Sequence, residues 1–346
     1  MRLGLVGFGS GGQFFHLPYI QAAPEWKLVG VVTRSPERCS SLAGEAPGVP
    51  AMDSLDAVID AGAEVVVITT PPSTRCELVL RALERGVHVV ADKPFAPDLE
   101  TAQELADAAD AAGKVLTVFH NRRWDTDFVT LQSVLTSGEL GTPARATFIL
   151  DQDEPGSLEP GVGDGLLRDL GAHVVDQAIQ ALGPVARVDA HLDWVDADHA
   201  RVDVGFALGL HHVSGAYSSV SSSKLGYRAE RGMIVYGSRG SYASRMRDVQ
   251  ADDALAGLRP VTVRAAGDTW GAEDPDRWGV LSTADGERVI PAIPGDHTEF
   301  YRRLHRALAE DGPLPVRLDE ALHTVAVLDA ARRSDAERRS VEVGVR

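Results

Sequence analysis

The chain opens with MRLGLVGFGSGGQFFHLPYI, Met1 to Ile20. An apolar run, Leu3 to Val6, stops at Gly7, and Gly9, Gly11 and Gly12 follow within five residues. In register this is Gly7-x-Gly9-x-x-Gly12, placed after a strand and before a helix. Glycine at the first position permits a tight turn. At the second it lets a pyrophosphate approach the backbone, and at the third it lets helix and strand pack closely. The context predicts a dinucleotide-binding turn, with Gly7, Phe8, Gly9, Gly11 and Gly12 on the cofactor side.

Outward from that turn, strands and helices alternate. Arg2–Val6, Lys27–Thr33 (KLVGVVT), Glu64–Thr70 (EVVVITT), Val87–Ala91 and Lys114–Phe119 read as strands. Short continuous apolar runs of this kind mark parallel strands covered on both faces. A helix is expected over Gln13–Ala22, with Pro18 in its first turns or bending it. Thr74 and Glu77 form a candidate capping box for a helix that Gly86 stops, and Asp98 is a candidate cap for Leu99–Ala112, ended by Gly113. The fold class predicted for residues 1–120 is an α/β Rossmann domain with a doubly wound parallel sheet.

After His120 the pattern changes, and residues 121–346 are expected to form a second, α+β domain for substrate binding and oligomerisation. Ala144–Leu150, Ala186–Asp193, Arg201–Leu208 and His212–Val220 read as strands. In RVDVGFAL, Val202, Val204, Phe206 and Leu208 alternate with other residues, the period of an open, mostly antiparallel sheet with unlike faces. One helix is expected over Leu167–Leu182, and two more, His297–Glu310 with Asp296 and Glu299 as a cap pair and Glu320–Arg333, near the end. Residues 245–290 carry no clear pattern.

A length of 346 residues fits two domains, and 44% apolar with 24% charged residues is ordinary globular composition. The net charge of −16 argues against nucleic acid or an anionic membrane as partner. Cys39 and Cys76 fit neither a disulfide framework nor a zinc clip, which suits a reducing cytoplasm. No leader pattern or apolar run of about 20 residues is read. No metal site is expected: His211 and His212, adjacent on a strand, point to opposite faces.

The end of the second strand selects the cofactor. An NAD enzyme usually carries an acid there for the ribose hydroxyls. This chain has Thr33, Arg34 and Ser35, and a guanidinium from Arg34, with Arg38 as a second contact, suits the 2′-phosphate of NADP(H). NADP(H) is therefore the preferred cofactor, with NAD(H) as the other choice. TTPPSTR, Thr69 to Arg75, places Thr70, Pro71, Pro72 and Arg75 at the next strand end. ADKPF places Asp92 and Lys93 at the one after.

Oxidising a secondary alcohol requires a proton acceptor, a stabiliser of developing oxygen charge, and something to orient the base. Lys93 could supply the charge. In GLLRDLGAHVVDQ, Asp169 and His173 are four apart, on one face of a single helix. His173 could accept the proton near neutrality. Asp169 could orient it or touch substrate hydroxyls, and Asp176 could also be its partner.

Taken together, GFGSGG, DKP (Asp92–Pro94) and DLGAH (Asp169–His173) resemble the Gfo/Idh/MocA oxidoreductase family over essentially the whole chain. FHLP at Phe15–Pro18, HNRRWD at His120–Asp125, HVVDQ at His173–Gln177 and IPAIPGDHTEFY resemble a branch that includes NADP-dependent scyllo-inositol dehydrogenases. The resemblance implies that Lys93, Asp169 and His173 are catalytic and that Asn121, Arg122, Arg123 and Trp124 lie near the substrate. It implies hydride transfer between the nicotinamide and a cyclic polyol or sugar, and a homodimer or homotetramer. Two other readings fit the same fold: an NAD-dependent glycosidase of the superfamily and a non-catalytic dinucleotide-binding regulator.

Overall fold

The computed structural model describes residues 1–154, 165–197 and 200–344. Most of the acidic segment 151–164 thus lies outside the described residues. The chain forms two compact units. The first comprises Met1–Asn121, Gln250–Trp270 and His297–Ala321; the second comprises Arg122–Val249, Gly271–Asp296 and the chain from Leu322 onward. Among the described residues no helix is long and apolar enough to cross a membrane.

The first unit is built on a parallel sheet. Its strands are β1 (Arg2–Val6), β2 (Lys27–Val32), β3 (Ala51–Met52), β4 (Val65–Ile68), β5 (His88–Ala91) and β6 (Leu116–Val118). Their order is β3-β2-β1-β4-β5-β6, all parallel. Leu3, Leu5, Val65, Val66, Val67, Ile68 and Val90 are fully buried, as strands covered on both faces require. The order reverses between β1 and β4, and a doubly wound sheet opens its ligand crevice at such a reversal. Gly7 and Thr69, the first residues beyond β1 and β4, stand there.

Local signals decide several boundaries. Asp98 caps the helix Leu99–Ala112 by accepting the Thr101 N–H at 2.8 Å, and Gly113 ends it at φ +60°. Ser35 caps Pro36–Glu45, a helix the sequence reading passed over, as it did Leu55–Asp60 and the two-residue β3. Thr74 is not a cap: the helix Pro72–Glu84 begins two residues earlier with proline in its first turn, and the Thr74 hydroxyl donates to the Pro71 carbonyl. The helix expected over 13–22 begins earlier and changes its winding along the way. Gly11–His16 winds as a π-helix, and Leu17–Gln21 continues as α-helix with Pro18 in its first turn. The helix Thr298–Glu310 has His297 at its cap, whose N–H donates to the Gln250 side-chain oxygen at 2.9 Å.

The second unit carries a nine-stranded sheet. Its strands are β7 (Pro143–Asp151), β8 (Val185–Ala197), β9 (Ala200–His212), β10 (Tyr217–Ser223), β11 (Glu230–Gly237), β12 (Gly240–Ser244), β13 (Gly279–Thr283), β14 (Gly286–Ile290) and β15 (Val341–Glu342). They run β14-β13-β12-β11-β7-β10-β9-β8-β15, antiparallel throughout except for the β7–β10 pair. The strand expected over 212–220 is broken. β9 ends at His212, a turn through Gly215 at φ +87° reverses the chain, and β10 starts at Tyr217. Val202, Val204, Phe206 and Leu208 of β9 are all buried, as their period predicts. One face packs on helices through Phe148, Leu192, Phe206, Val220 and Val235 against Leu167, Val175 and Leu328. The unpatterned stretch 245–290 supplies two short helices, Val249–Leu255 and Pro260–Ala265, and the β13–β14 hairpin.

Replacing Asp98 with Ala removes one cap bond and leaves an orphaned N–H in a half-exposed turn. The expected cost is about 1 kcal/mol, read as a lower urea midpoint with an unchanged slope.

Candidate functional site

In the first unit the glycines of the opening turn each have a distinct reason. Gly7 sits at φ +106°, and a Cβ there would meet the Thr69 carbonyl oxygen at 3.0 Å. A Cβ on Gly12 would stand 2.3 Å from the Gly7 carbonyl oxygen, and one on Gly11 would stand 2.6 Å from Thr69 Oγ1. These three let the turn close against β4. Gly9 differs: the nearest atom to its Cβ position is an Arg38 guanidinium nitrogen at 4.0 Å. Packing within the unit does not require glycine there, whereas an anion laid on the backbone does. The turn therefore fits a dinucleotide pyrophosphate, with Gly7, Phe8, Gly9, Gly11 and Gly12 as its floor. Phe8 is buried and braces it from below.

The flank of that floor is basic. Thr33 is buried at the end of β2, and Arg34 and Arg38 are exposed. The nearby carboxylate, Glu37, accepts the Ser35 hydroxyl at 2.5 Å, and that bond holds it below the usual carboxylate range.

At the end of β4, Arg75 is buried and spans two loops. It donates to the Thr70 carbonyl at 2.6 Å and to the Pro94 carbonyl. Thr70, Pro71 and Pro72 are thereby tied to the loop that carries Lys93. Asp92, just before it, is the hub. Its Oδ1 accepts the Lys93 N–H at 2.8 Å and its Oδ2 accepts the Thr69 hydroxyl at 2.7 Å. The same Oδ2 lies 3.4 Å from His16 Nε2. Burial pushes the Asp92 carboxyl up, but His16, Arg75 and Lys93 outweigh it and hold it well below its usual range. His16 is fully buried, with Nδ1 2.6 Å from the Tyr301 hydroxyl.

In the second unit the expected helix over 167–182 is two helices. Leu166–Asp169 and Gly171–Leu182 meet at Leu170. Asp169 therefore ends the first helix and His173 lies in the first turn of the second, so the single-helix argument for their pairing does not hold. Leu166–Asp169 is pinned by charge along its length. Asp203 accepts the Leu167 N–H at 2.6 Å, Arg168 pairs with Asp329 at 2.9 Å, and Lys224 Nζ lies 3.1 Å from Asp169 Oδ2. His173 is buried. Asp176, the other candidate partner of His173, takes a two-pronged bond from Arg123, at 2.9 and 2.6 Å.

Asn121 is buried at the end of the first unit, and Arg122 and Trp124 are buried at the start of the second. The Arg122 guanidinium pairs with Asp125 at 3.0 Å and with Asp248, and Arg231 joins Asp125, Asp127 and Asp248. Burial works against the charge on Arg231, but the three carboxylates hold its pKa well above the ordinary value. His211 and His212 turn opposite ways, His211 to Asp189 at 2.7 Å and His212 to the Gly183 carbonyl and Ser218.

Sequence reasoning missed Lys224, Thr69 and Tyr301 as members of these clusters. No spacing links Lys224 to Asp169 or Tyr301 to His16, because those contacts close only in the folded chain. The aromatic-acidic GDHTEFY stretch was the available signal for Tyr301.

Comparison with known proteins agrees with this geometry. A profile described as "Oxidoreductase family, NAD-binding Rossmann fold" matches residues 1–120, and one described as "GFO/IDH/MocA C-terminal domain" matches 128–243. The chain is 31% identical to the uncharacterized oxidoreductase YdgJ of Escherichia coli, covering 98% of this chain and 97% of that one. It is 27% identical to the scyllo-inositol 2-dehydrogenase (NADP(+)) IolW of Bacillus subtilis, covering 99% and 95%. The crystal structure of an oxidoreductase from Bacillus cereus superposes with a TM-score of 0.87 at 26% identity, over 100% of this chain and 99% of that one. The chain belongs to the Gfo/Idh/MocA oxidoreductase family. It is a dehydrogenase acting on CH–OH groups, with a Rossmann domain for a nicotinamide dinucleotide.

The two glycine classes are expected to separate on substitution. Gly9→Ala should leave the melting temperature within about 2 °C, since it meets no neighbour, while weakening nicotinamide-dinucleotide binding by about tenfold or more. Gly12→Ala should lower the melting temperature clearly, because its Cβ would strike backbone. Thermal unfolding and fluorescence titration with the reduced dinucleotide read the two effects.

Proposed function

We propose that this dehydrogenase uses NADP(H) and acts on a secondary alcohol of a cyclic polyol or sugar of inositol type. The observation that carries the cofactor choice is the basic flank of the turn. Arg34 and Arg38 are exposed at the end of β2, and an Arg38 nitrogen lies beside Gly9. An acid that would repel a 2′-phosphate is missing from the position after β2, where Thr33, Arg34 and Ser35 stand. The similarity to a protein named as an NADP-linked scyllo-inositol dehydrogenase supports the same reading.

When bound, the nicotinamide ring supplies the hydride acceptor for alcohol oxidation. Gly7, Phe8, Gly9, Gly11 and Gly12 hold the pyrophosphate, Arg34 and Arg38 the 2′-phosphate, and Thr70, Pro71, Pro72, Arg75 and Asp92 shape the path beside the ring. In this reading Lys93 of the first unit stabilises the developing alkoxide, and His173 of the second takes the hydroxyl proton. Asp169, held by Lys224, orients a substrate hydroxyl. Asn121, Arg122 and Trp124 contribute to the substrate surroundings. A homodimer or homotetramer through the open face of the mixed sheet, where Tyr217 and Tyr236 are exposed, belongs to the same proposal.

The test is a panel of inositols, pentitols and aldoses with NADP or NAD, followed by absorbance of the reduced cofactor. Turnover with NADP on a cyclic polyol is expected, falling by at least about 100-fold in Lys93→Met and in His173→Ala. Arg34→Asp should shift the preference toward NAD. Release of an aglycone from a chromogenic glycoside without net cofactor reduction would replace this reading with the glycosidase. Turnover indifferent to both catalytic substitutions would overturn the residue assignment. Light scattering of the purified chain reads the oligomer.

A further inference from the structure

Four stretches far apart in sequence meet under the strand ends of the first unit. They are FHLP with His16, ITT with Thr69, ADKP with Asp92 and Lys93, and EFY with Tyr301. Their meeting point is the Asp92 carboxylate, only 15% exposed. We infer that His16, fixed by Tyr301, is a positioning residue for Lys93, acting through Asp92; the inference rests on the dehydrogenase reading for the role of Lys93.

Asp92 is largely withdrawn from water, and a carboxylate so placed is costly unless donors surround it. The Thr69 hydroxyl and the Lys93 N–H donate to it, and His16 Nε2 lies 3.4 Å from its Oδ2. The first two come from strand-end loops on either side. The Lys93 N–H bond matters most for function, because it ties the backbone of Lys93 to the carboxylate. Whatever orients Asp92 therefore orients the root of the Lys93 side chain.

His16 orients Asp92 only if the ring presents a proton to it. The tautomer is set from the other side. Burial and the Asp92 charge push the Tyr301 phenol well above its ordinary value, so it stays a hydroxyl. With its oxygen 2.6 Å from Nδ1, it donates to that nitrogen. A neutral ring then carries its proton on Nε2, which lies 3.4 Å from Asp92 Oδ2, an ion-pair approach rather than a closed hydrogen bond. The ring itself cannot swing: it stacks on Phe119 with centroids 4.2 Å apart, and Phe119 packs on Phe300 and Tyr301. Tyr301 is held in turn by Trp26, whose indole N–H donates to its carbonyl at 2.9 Å. The helix Thr298–Glu310 thus braces the glycine turn and the Lys93 loop together. Gly11 completes the fit, since its Cβ position lies 3.3 Å from Asp92 Oδ2. A side chain there would press on the carboxylate that His16 steadies.

The experiment compares His16→Leu, which fills the space without a donor, with His16→Gln, which keeps one, and with Tyr301→Phe, which loses one hydroxyl. Each full-length protein is pulsed with an acetylating reagent across pH 7–10, and the labelling rate of every lysine is read by mass spectrometry. Lys27 and Lys114 serve as internal references. Lys93 is expected to react at least about threefold faster relative to those references in His16→Leu and Tyr301→Phe, as its loop opens more often. His16→Gln should restore most of the wild-type ratio. Where polyol turnover is present, kcat should fall on the order of 10- to 100-fold in His16→Leu, with NADPH affinity within threefold of wild type.

An unchanged Lys93 ratio in both His16→Leu and Tyr301→Phe would overturn the inference. So would equal losses in His16→Leu and His16→Gln, which is the behaviour of a residue that only fills the core. Should His16→Leu fail to fold, Tyr301→Phe carries the same readout. The labelling needs no substrate, so a wild-type protein inactive on every polyol would defeat the functional reading and still decide this one.

Discussion

The structure of the first unit depends on how closely the turn after β1 can approach the end of β4. The Gly7 carbonyl and the Gly12 backbone occupy nearly the space of one side chain, and Thr69 fills what remains. That approach does two things at once. It leaves the Gly9 backbone bare toward solvent, where a pyrophosphate can lie, and it brings Thr69 within reach of Asp92. Cofactor floor and lysine loop are consequently parts of one packed object. A change in either is transmitted through side chains that have no room to relax.

The second unit meets a different problem. It buries arginines and aspartates at its beginning, and each must be paired or its burial is costly. Arg123 with Asp176, and Arg122 and Arg231 with Asp125, Asp127 and Asp248, meet that demand. The pairing also fixes the helix Gly171–Leu182, because Asp176 projects from it to Arg123. His173 is three residues earlier on the same helix, so its place follows from an ion pair one turn away. Asp169 is secured separately by Lys224. The helix that carries the proposed base and Asp169 ahead of it are thus each tied down by an ion pair of their own.

Much of the fold was legible because its signals are local. The apolar runs of β1, β2, β4 and β5, the Asp98 cap and the Gly113 stop each depend on a few adjacent residues. The glycine turn was legible for the same reason. Failures came where proline or a long-range contact intervened. Pro72 starts a helix before Thr74 could cap it. Leu170 breaks the helix on which the Asp169–His173 spacing was based. Local spacing could not pair Lys224, Thr69 and Tyr301 with their partners, which lie 55, 23 and 285 residues away. The bonds that orient these side chains could not be read, because they close only in the folded chain.

In the proposed function the Gly9 backbone and its basic flank hold NADP(H). A crystal structure of the chain grown with NADPH should show the pyrophosphate on the Gly9 backbone and the 2′-phosphate against Arg34 and Arg38. A dinucleotide bound elsewhere, or one whose 2′-phosphate points into solvent away from both arginines, would overturn that reading.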